Sequence, residues 1–144
     1  PPEAVLAVIT DWPSQSSIMD DLSLSEVVGT EGEYTLCRGI TDTPWPMDDR
    51  FFTIRATNGS IDLSGVPVLI ATWNYVQGSG NIEDTTGYWL MIPWGADGQS
   101  TLLRYRIQVD LGTWLPDFLM TWATENFLPT KITAIRDRVV ALNQ

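Results

Sequence analysis

The sequence predicts an α+β fold in which a curved antiparallel sheet is wrapped around one long C-terminal helix. Three observations predict it. Apolar and polar residues alternate with period two through "RFFTIRAT" and "TLLRYRIQVD". The segments between these two are separated by glycine-rich signals at spacings too short for parallel crossovers. After Gly112 the apolar spacing changes to three and four, the period of an amphipathic helix.

Taken in order, "PPEAVLAVITDWP" opens with prolines where a helix tolerates them and supplies Glu3 to the first turn, so it reads as a short helix ended by Pro13. A second short helical piece is expected over Ser16 to Leu22, with Asp20 and Asp21 facing water. "SLSEVVG" and "EYTLCRGI" flank Gly29-Thr30-Glu31-Gly32 and read as a hairpin. From Arg50, Phe52, Ile54 and Ala56 share one strand face, and Thr53, Arg55 and Thr57 share the other. Asn58-Gly59 reads as a hairpin turn in preference to the glycosylation sequon that it forms with Ser60. "VPVLIATWNYV" and "GYWLMIPWG" are apolar on both faces, so alternation does not orient them. Gly78-Ser79-Gly80 and Gly95-Ala96-Asp97-Gly98 mark the turns that follow. In the last strand Leu103, Tyr105, Ile107 and Val109 oppose Arg104, Arg106 and Gln108. The helix is expected from Trp114 to about Val140, with Leu115, Phe118, Leu119, Trp122, Leu128, Ile132, Ile135 and Val139 on its apolar stripe. Pro116 falls in its first turn, and Pro129 removes an internal hydrogen bond, which predicts a kink or break near Asn126.

With 144 residues, 44% of them apolar, the chain suits a single domain spanning 1–144 with one core. Net charge is −10, and up to Asp49 ten acids face one base, Arg38. That excludes nucleic-acid binding and electrostatic docking on anionic lipid. There is no histidine, so zinc sites and histidine-dependent triads are excluded; no metal and no cofactor is expected, and no catalytic residue is assigned. No phosphate-cradling glycine motif occurs. Cys37 is alone, and with no signal-like or membrane-spanning run the cytoplasm is the favoured location. Trp12, Trp45, Trp73 and Trp89 are read as core. The chain opens on Pro1 rather than methionine and is read as a piece of something longer.

"PWPMDDRFF", then "GYWLMIPWG", then "TLLRYRIQVDLGTWLPDFLM" together resemble the START domain, the lipid-transfer module related to steroidogenic acute regulatory protein, with a helix-grip fold. In that family a Pro-Trp-Pro loop leads into an Asp-Arg strand start, and a strand ending in Asp runs through Gly to a Trp-Pro region that begins the last helix; Asp110, Gly112, Trp114 and Pro116 stand close to those places. The resemblance is collinear over most of the chain. It departs in two respects. The family's N-terminal helix and first strands are absent, which predicts an unpaired sheet edge beside "EYTLCRGI" or "TLLRYRIQVD", with pairing into a homodimer or a domain swap through it. The acid–arginine pair of sterol-binding members falls on Cys37 and Ala56, so sterol specificity is not implied.

The resemblance implies an internal cavity for a lipid or other hydrophobic small molecule, exchanged by transient membrane contact. Its expected walls are Phe52, Ile54 and Ala56 on one strand and Leu103, Tyr105, Ile107 and Val109 on another, followed by Leu111. From the helix, Phe118, Trp122 and Ile135 are expected. Arg50 is read as a clamp on Asp48, Asp49 or loop carbonyls. Tyr34, Tyr105 and Arg55 are the candidate proton-handling groups, and no base is paired with them in sequence. The expected function is therefore a non-enzymatic carrier. An aromatase/cyclase-like enzyme on the same scaffold and an interaction module without a guest are the alternatives.

Overall fold

The computed structural model describes residues 1–144 and begins with α1 (Pro2–Thr10), a 3-10 turn (Trp12–Ser14) and the brief α2 (Gln15–Ile18). Val5, Val8 and Ile9, spaced by three and four, form the buried stripe of α1. Six strands follow: β1 (Leu22–Glu31), β2 (Tyr34–Thr41), β3 (Arg50–Leu63), β4 (Val66–Tyr75), β5 (Asp84–Trp94) and β6 (Ser100–Asp110). They pair antiparallel in sequential order, which makes β1 and β6 the two edges. β6 is the "TLLRYRIQVD" strand; the other edge is β1 rather than "EYTLCRGI", because β2 is paired on both sides.

Two predicted turns lie elsewhere. Gly29 and Thr30 belong to β1, and the chain reverses at Gly32-Glu33, with Gly32 at φ 60°. Register slips at Leu22/Leu24 and Val27/Gly29 mark irregularities in this edge strand. Asn58 and Gly59 lie within β3, opposite Ala71 and Ile70. The turn is made by Ser64 and Gly65, at φ 55° and 86°, the left-handed pair that a two-residue hairpin requires. Asp62 Oδ1 accepts the Gly65 N–H at 2.9 Å. Running on to this turn adds ladder pairs as far as Leu63↔Val66 and brings Val68, 0% exposed, into the interior. Those gains outweigh the local preference of Asn-Gly for a turn.

Helical structure resumes at Asp117, not Trp114. The segment consists of α3 (Asp117–Trp122), a π-turn (Ala123–Phe127) and α4 (Leu128–Leu142), with the interruption where Pro129 predicts it. Leu128 N–H reaches back five residues to the Ala123 carbonyl. Pro129 has no N–H to offer Glu125, so the helix widens by one residue instead of breaking. Thr130 Oγ1 donates to the carbonyls of Asn126 and Phe127 at 2.6 and 3.0 Å, satisfying acceptors that the π-turn exposes.

Two helices, not one, cover the sheet. α1 lies against β4, β5 and β6, while α4 lies against α1 and α2 and stands off from the strands. The core joins Val5, Val8 and Ile9 of α1 to Cys37, Ile54, Ala56, Trp73, Trp89 and Met91 of the sheet, and Ile135 (1% exposed) brings α4 into it. Trp45, expected in this core, is 88% exposed on the β2–β3 loop. No helix is long and apolar enough to cross a membrane.

Candidate functional site

Strand parity puts Arg50, Phe52 and Ile54 of β3, Trp73 of β4, Thr85 and Trp89 of β5, and Tyr105, Ile107 and Val109 of β6 on the face turned toward the helices. Two cross-strand pairs set glycine against an aromatic ring, Gly39↔Phe52 and Gly87↔Trp73. A Cβ on Gly39 would stand 2.8 Å from Phe52 Cζ, and one on Gly87 would collide with the Trp73 indole and the Arg106 carbonyl. The rings therefore lie down on bare backbone, which lowers the floor. Because α4 stands off above it, a cavity of about 450 Å³ remains, and 21 of its 31 lining residues are hydrophobic. That volume falls within the range of small-molecule sites, about 300–1,000 Å³. Leu115, Trp122, Phe127, Leu128, Lys131 and Ile135 roof it. A second hollow, about 370 Å³ between α1 and the end of α4, has a mixed lining that includes Asp11, Arg138 and Asn143.

Of the expected wall residues, Phe52, Ile54, Tyr105, Ile107, Val109, Leu111, Trp122 and Ile135 line the cavity. Val109 is 45% exposed. Ala56 and Leu103 lie on the same face but belong to the packed core. Phe118 is a correction: it is 57% exposed, because Leu119 (5% exposed) and Trp122, three residues apart, define the inward line of α3. Ile132 is likewise outside at 38%. Its place is taken by Lys131, three residues after Leu128 and four before Ile135.

Sequence reasoning missed Cys37, Trp73, Trp89 and Lys131 as wall residues. Trp89 stacks on Tyr105, its cross-strand partner, at 4.0 Å and 17°; Trp73 lies 6.0 Å from the same ring and donates Nε1–H to Thr85 Oγ1 at 3.3 Å. Their strands are apolar on both sides, so only pairing with β3 and β6 orients them. Lys131 was legible in principle from its spacing to Leu128 and Ile135.

The polar groups have defined environments. Lys131 Nζ donates to Asp21 Oδ1 and Oδ2 at 3.0 and 2.9 Å, lies 3.6 Å from Met19 Sδ and sits 4.4 Å from the centre of the Phe127 ring. Burial lowers its pKa, while the charge of Asp21 and the hydrogen bond to it act the other way. Tyr105 is held protonated by burial and then by the negative charge of Asp21. Burial pushes the Cys37 thiol up to about 12. Gln15 Nε2 donates to the carbonyls of Val8 and Ile9 at 2.8 and 3.2 Å, which closes the last turn of α1.

Arg50 donates from Nη1 to the Asn81 carbonyl at 3.2 Å, and neither Asp48 nor Asp49 forms an ion pair with it. The loop before it is tied by Thr43 Oγ1 to the Asp48 carbonyl (2.6 Å) and by Asn81 Nδ2 to the Asp49 carbonyl (2.8 Å), so it serves as scaffold. Arg55 pairs with Glu31 at 3.0 Å, and neither Arg55 nor Tyr34 lines the cavity, which leaves Tyr105 as the one phenol in it. No group of three His, Cys, Asp or Glu residues is close enough to hold a metal ion.

Neither a protein-family model nor a curated protein sequence matches the chain. Solved structures do. A protein from Thermus thermophilus superposes with a TM-score of 0.75 at 17% identity, over 100% of this chain and 92% of that one. A STAR-related lipid transfer protein from Xanthomonas axonopodis gives 0.76 at 19% identity, over 96% of this chain and 78% of that one. The Zhui aromatase/cyclase from a Streptomyces species gives 0.67 at 15% identity, over 100% of this chain and 89% of that one. At such identities the likeness carries the architecture: six antiparallel strands curved about a C-terminal helix give this chain the START-like helix-grip fold.

Proposed function

We propose that the chain binds a lipid or other hydrophobic small molecule in the cavity between the sheet and the C-terminal helix, and passes it between membranes. The cavity itself carries the reading: about 450 Å³, with two thirds of its lining residues apolar, beneath a helix that stands off from the sheet. A guest burying roughly 400 Å² of apolar surface gains about 10 kcal/mol at ~25 cal/mol/Å², before ordering costs of several kcal/mol. The lipid-transfer neighbour supports a carrier. Trp45 and Trp114, 88% and 80% exposed, lie on loops whose neighbouring residues Thr43 and Leu115 line the cavity. Indole rings favour the bilayer interface, which supports brief membrane contact at this end. The open edges of β1 and β6 support pairing with a second copy.

Native mass spectrometry of the purified protein followed by organic extraction tests the reading, with a co-purifying apolar molecule as the expected result. Ile107→Trp, which narrows the cavity, and Trp122→Ala, which strips its roof, are expected to weaken binding of fluorescent lipid analogues with little change in far-UV circular dichroism. The aromatase/cyclase neighbour and the Tyr105 phenol in the cavity wall favour a second reading, a cyclase on the same scaffold. If the wild type binds nothing from a broad lipid panel but converts a polyketide-like substrate, with loss on Tyr105→Phe, that reading replaces the carrier.

A further inference from the structure

The chain carries 18 acids and 8 bases, yet no Asp or Glu lines the cavity, whereas Arg50 and Lys131 do. Arg38 borders it as well but is engaged elsewhere, 3.7 Å from Glu26. The two cations stand at one end. Leu22, Thr41 and Arg50 form a rung across β1, β2 and β3, which places Arg50 two strand spacings, about 10 Å, from Leu22. Lys131 is tied to Asp21, the residue before Leu22. Both therefore lie toward the end of the sheet where β1 and β3 begin, Arg50 on the floor with its guanidinium turned to Asn81 and Lys131 in the roof.

Neither cation is fully satisfied. Arg50 has no carboxylate partner, and its Nε is buried with no hydrogen-bond acceptor. Lys131 has Asp21, but its other neighbours are the Met19 sulfur, a weak acceptor, and the face of Phe127. A cation in apolar surroundings with spare donors is costly, and an anion delivered from outside offsets that cost.

We propose that the guest is an amphiphile with a single anionic head, of the carboxylate or phosphate type, received between Arg50 and Lys131 while its apolar body lies on the floor formed by Phe52, Trp73 and Trp89. The inference rests on the carrier reading and narrows it. Asp21 tempers the site: it positions Lys131 and cancels part of its charge, so the head group is held without being locked in.

The test follows the change in tryptophan emission as oleate, oleyl phosphate, oleyl alcohol and methyl oleate are added below their aggregation limits, with acetate and inorganic phosphate as heads without tails. The two anionic amphiphiles are expected to bind about tenfold or more tightly than the alcohol and the ester, the gain of one charge-assisted contact, and the tailless anions are expected not to bind. Arg50→Gln, and independently Asp21→Asn combined with Lys131→Met so that no buried charge is orphaned, are expected to bring the ratio of carboxylate to alcohol affinity close to one. Equal affinity for all four amphiphiles, or tighter binding of the alcohol, overturns the anionic-head inference and leaves the carrier reading standing. Binding of acetate or phosphate as tight as that of the tailed anions overturns it in favour of a free-anion site. Failure of the wild type to bind any lipid overturns the carrier reading and this inference with it.

Discussion

Trp73 occupies the space that a side chain on Gly87 would need, and much of the floor of the cavity depends on that one exchange. Gly87→Ala is expected to push the indole off the sheet and to strain the β5–β6 ladder at the Arg106 carbonyl, at a cost of about 1–3 kcal/mol, read from urea midpoints together with a shift in tryptophan emission. Cys37 gives a pH-dependent readout. Burial pushes its thiol from the ordinary value near 9.0 up to about 12, so the folded chain keeps a proton that the unfolded chain loses across that window. Its contribution to stability is thus complete below pH 9.0 and declines as pH rises toward the folded value. Cys37→Ala is expected to flatten the alkaline fall in urea midpoint between about pH 9 and 12, relative to wild type. At this scale the sequence was legible where alternation was clean: Phe52, Ile54, Tyr105 and Ile107 follow directly from the flanking Arg55, Arg104 and Arg106. It was silent for Trp73 and Trp89, whose strands are apolar on both faces, and misleading for Phe118, where a position one residue off the line of Leu119 and Trp122 decides which way a side chain turns.

Among the elements, the π-turn is the feature with most mechanical content. It places Phe127 against Trp122, ring centres 6.0 Å apart, both in the cavity roof, and it joins a short α3 to the long α4 that carries Lys131 and Ile135. Pro129→Ala restores an N–H able to bond Glu125, so the segment 123–129 is expected to tighten toward α-helix. Two measurements check this: a small gain in ellipticity at 222 nm, and slower hydrogen exchange confined to those residues. If the turn works as a hinge for entry, release of a bound fluorescent lipid is expected to slow in the same variant. The break was legible because a proline inside a helical pattern has one consequence. The turn at Ser64-Gly65 was not, since the local signal of Asn58-Gly59 points the wrong way and only the continuing ladder with β4 overrules it. The role of α1 was half legible: its stripe of Val5, Val8 and Ile9 marks a buried helix, but nothing local says that it covers β4 to β6.

For the whole molecule, occupancy and stability are linked. A guest at a hundred times its dissociation constant adds about 2.7 kcal/mol, and for a chain of this size the melting temperature is expected to rise by roughly 5–10 °C, read by differential scanning fluorimetry. A panel of apolar ligands that leaves the melting temperature unmoved would count against an interior binding site. The meander also divides the molecule by its two ends. At one end the strands are joined by the tight reversals at Gly32-Glu33, Ser64-Gly65 and Gly95 to Gly98; at the other lie the longer connections 42–49, 76–83 and 111–116. The tight end fixes strand register, whereas the connections at the other end border the cavity through Thr43, Ile82, Leu111 and Leu115, with 76–83 tied to β3 through Ser79 and Asn81. Insertions at the outer tips of 42–49 and 111–116, away from those ties, are expected to reshape the rim of the cavity while the register of the sheet is kept.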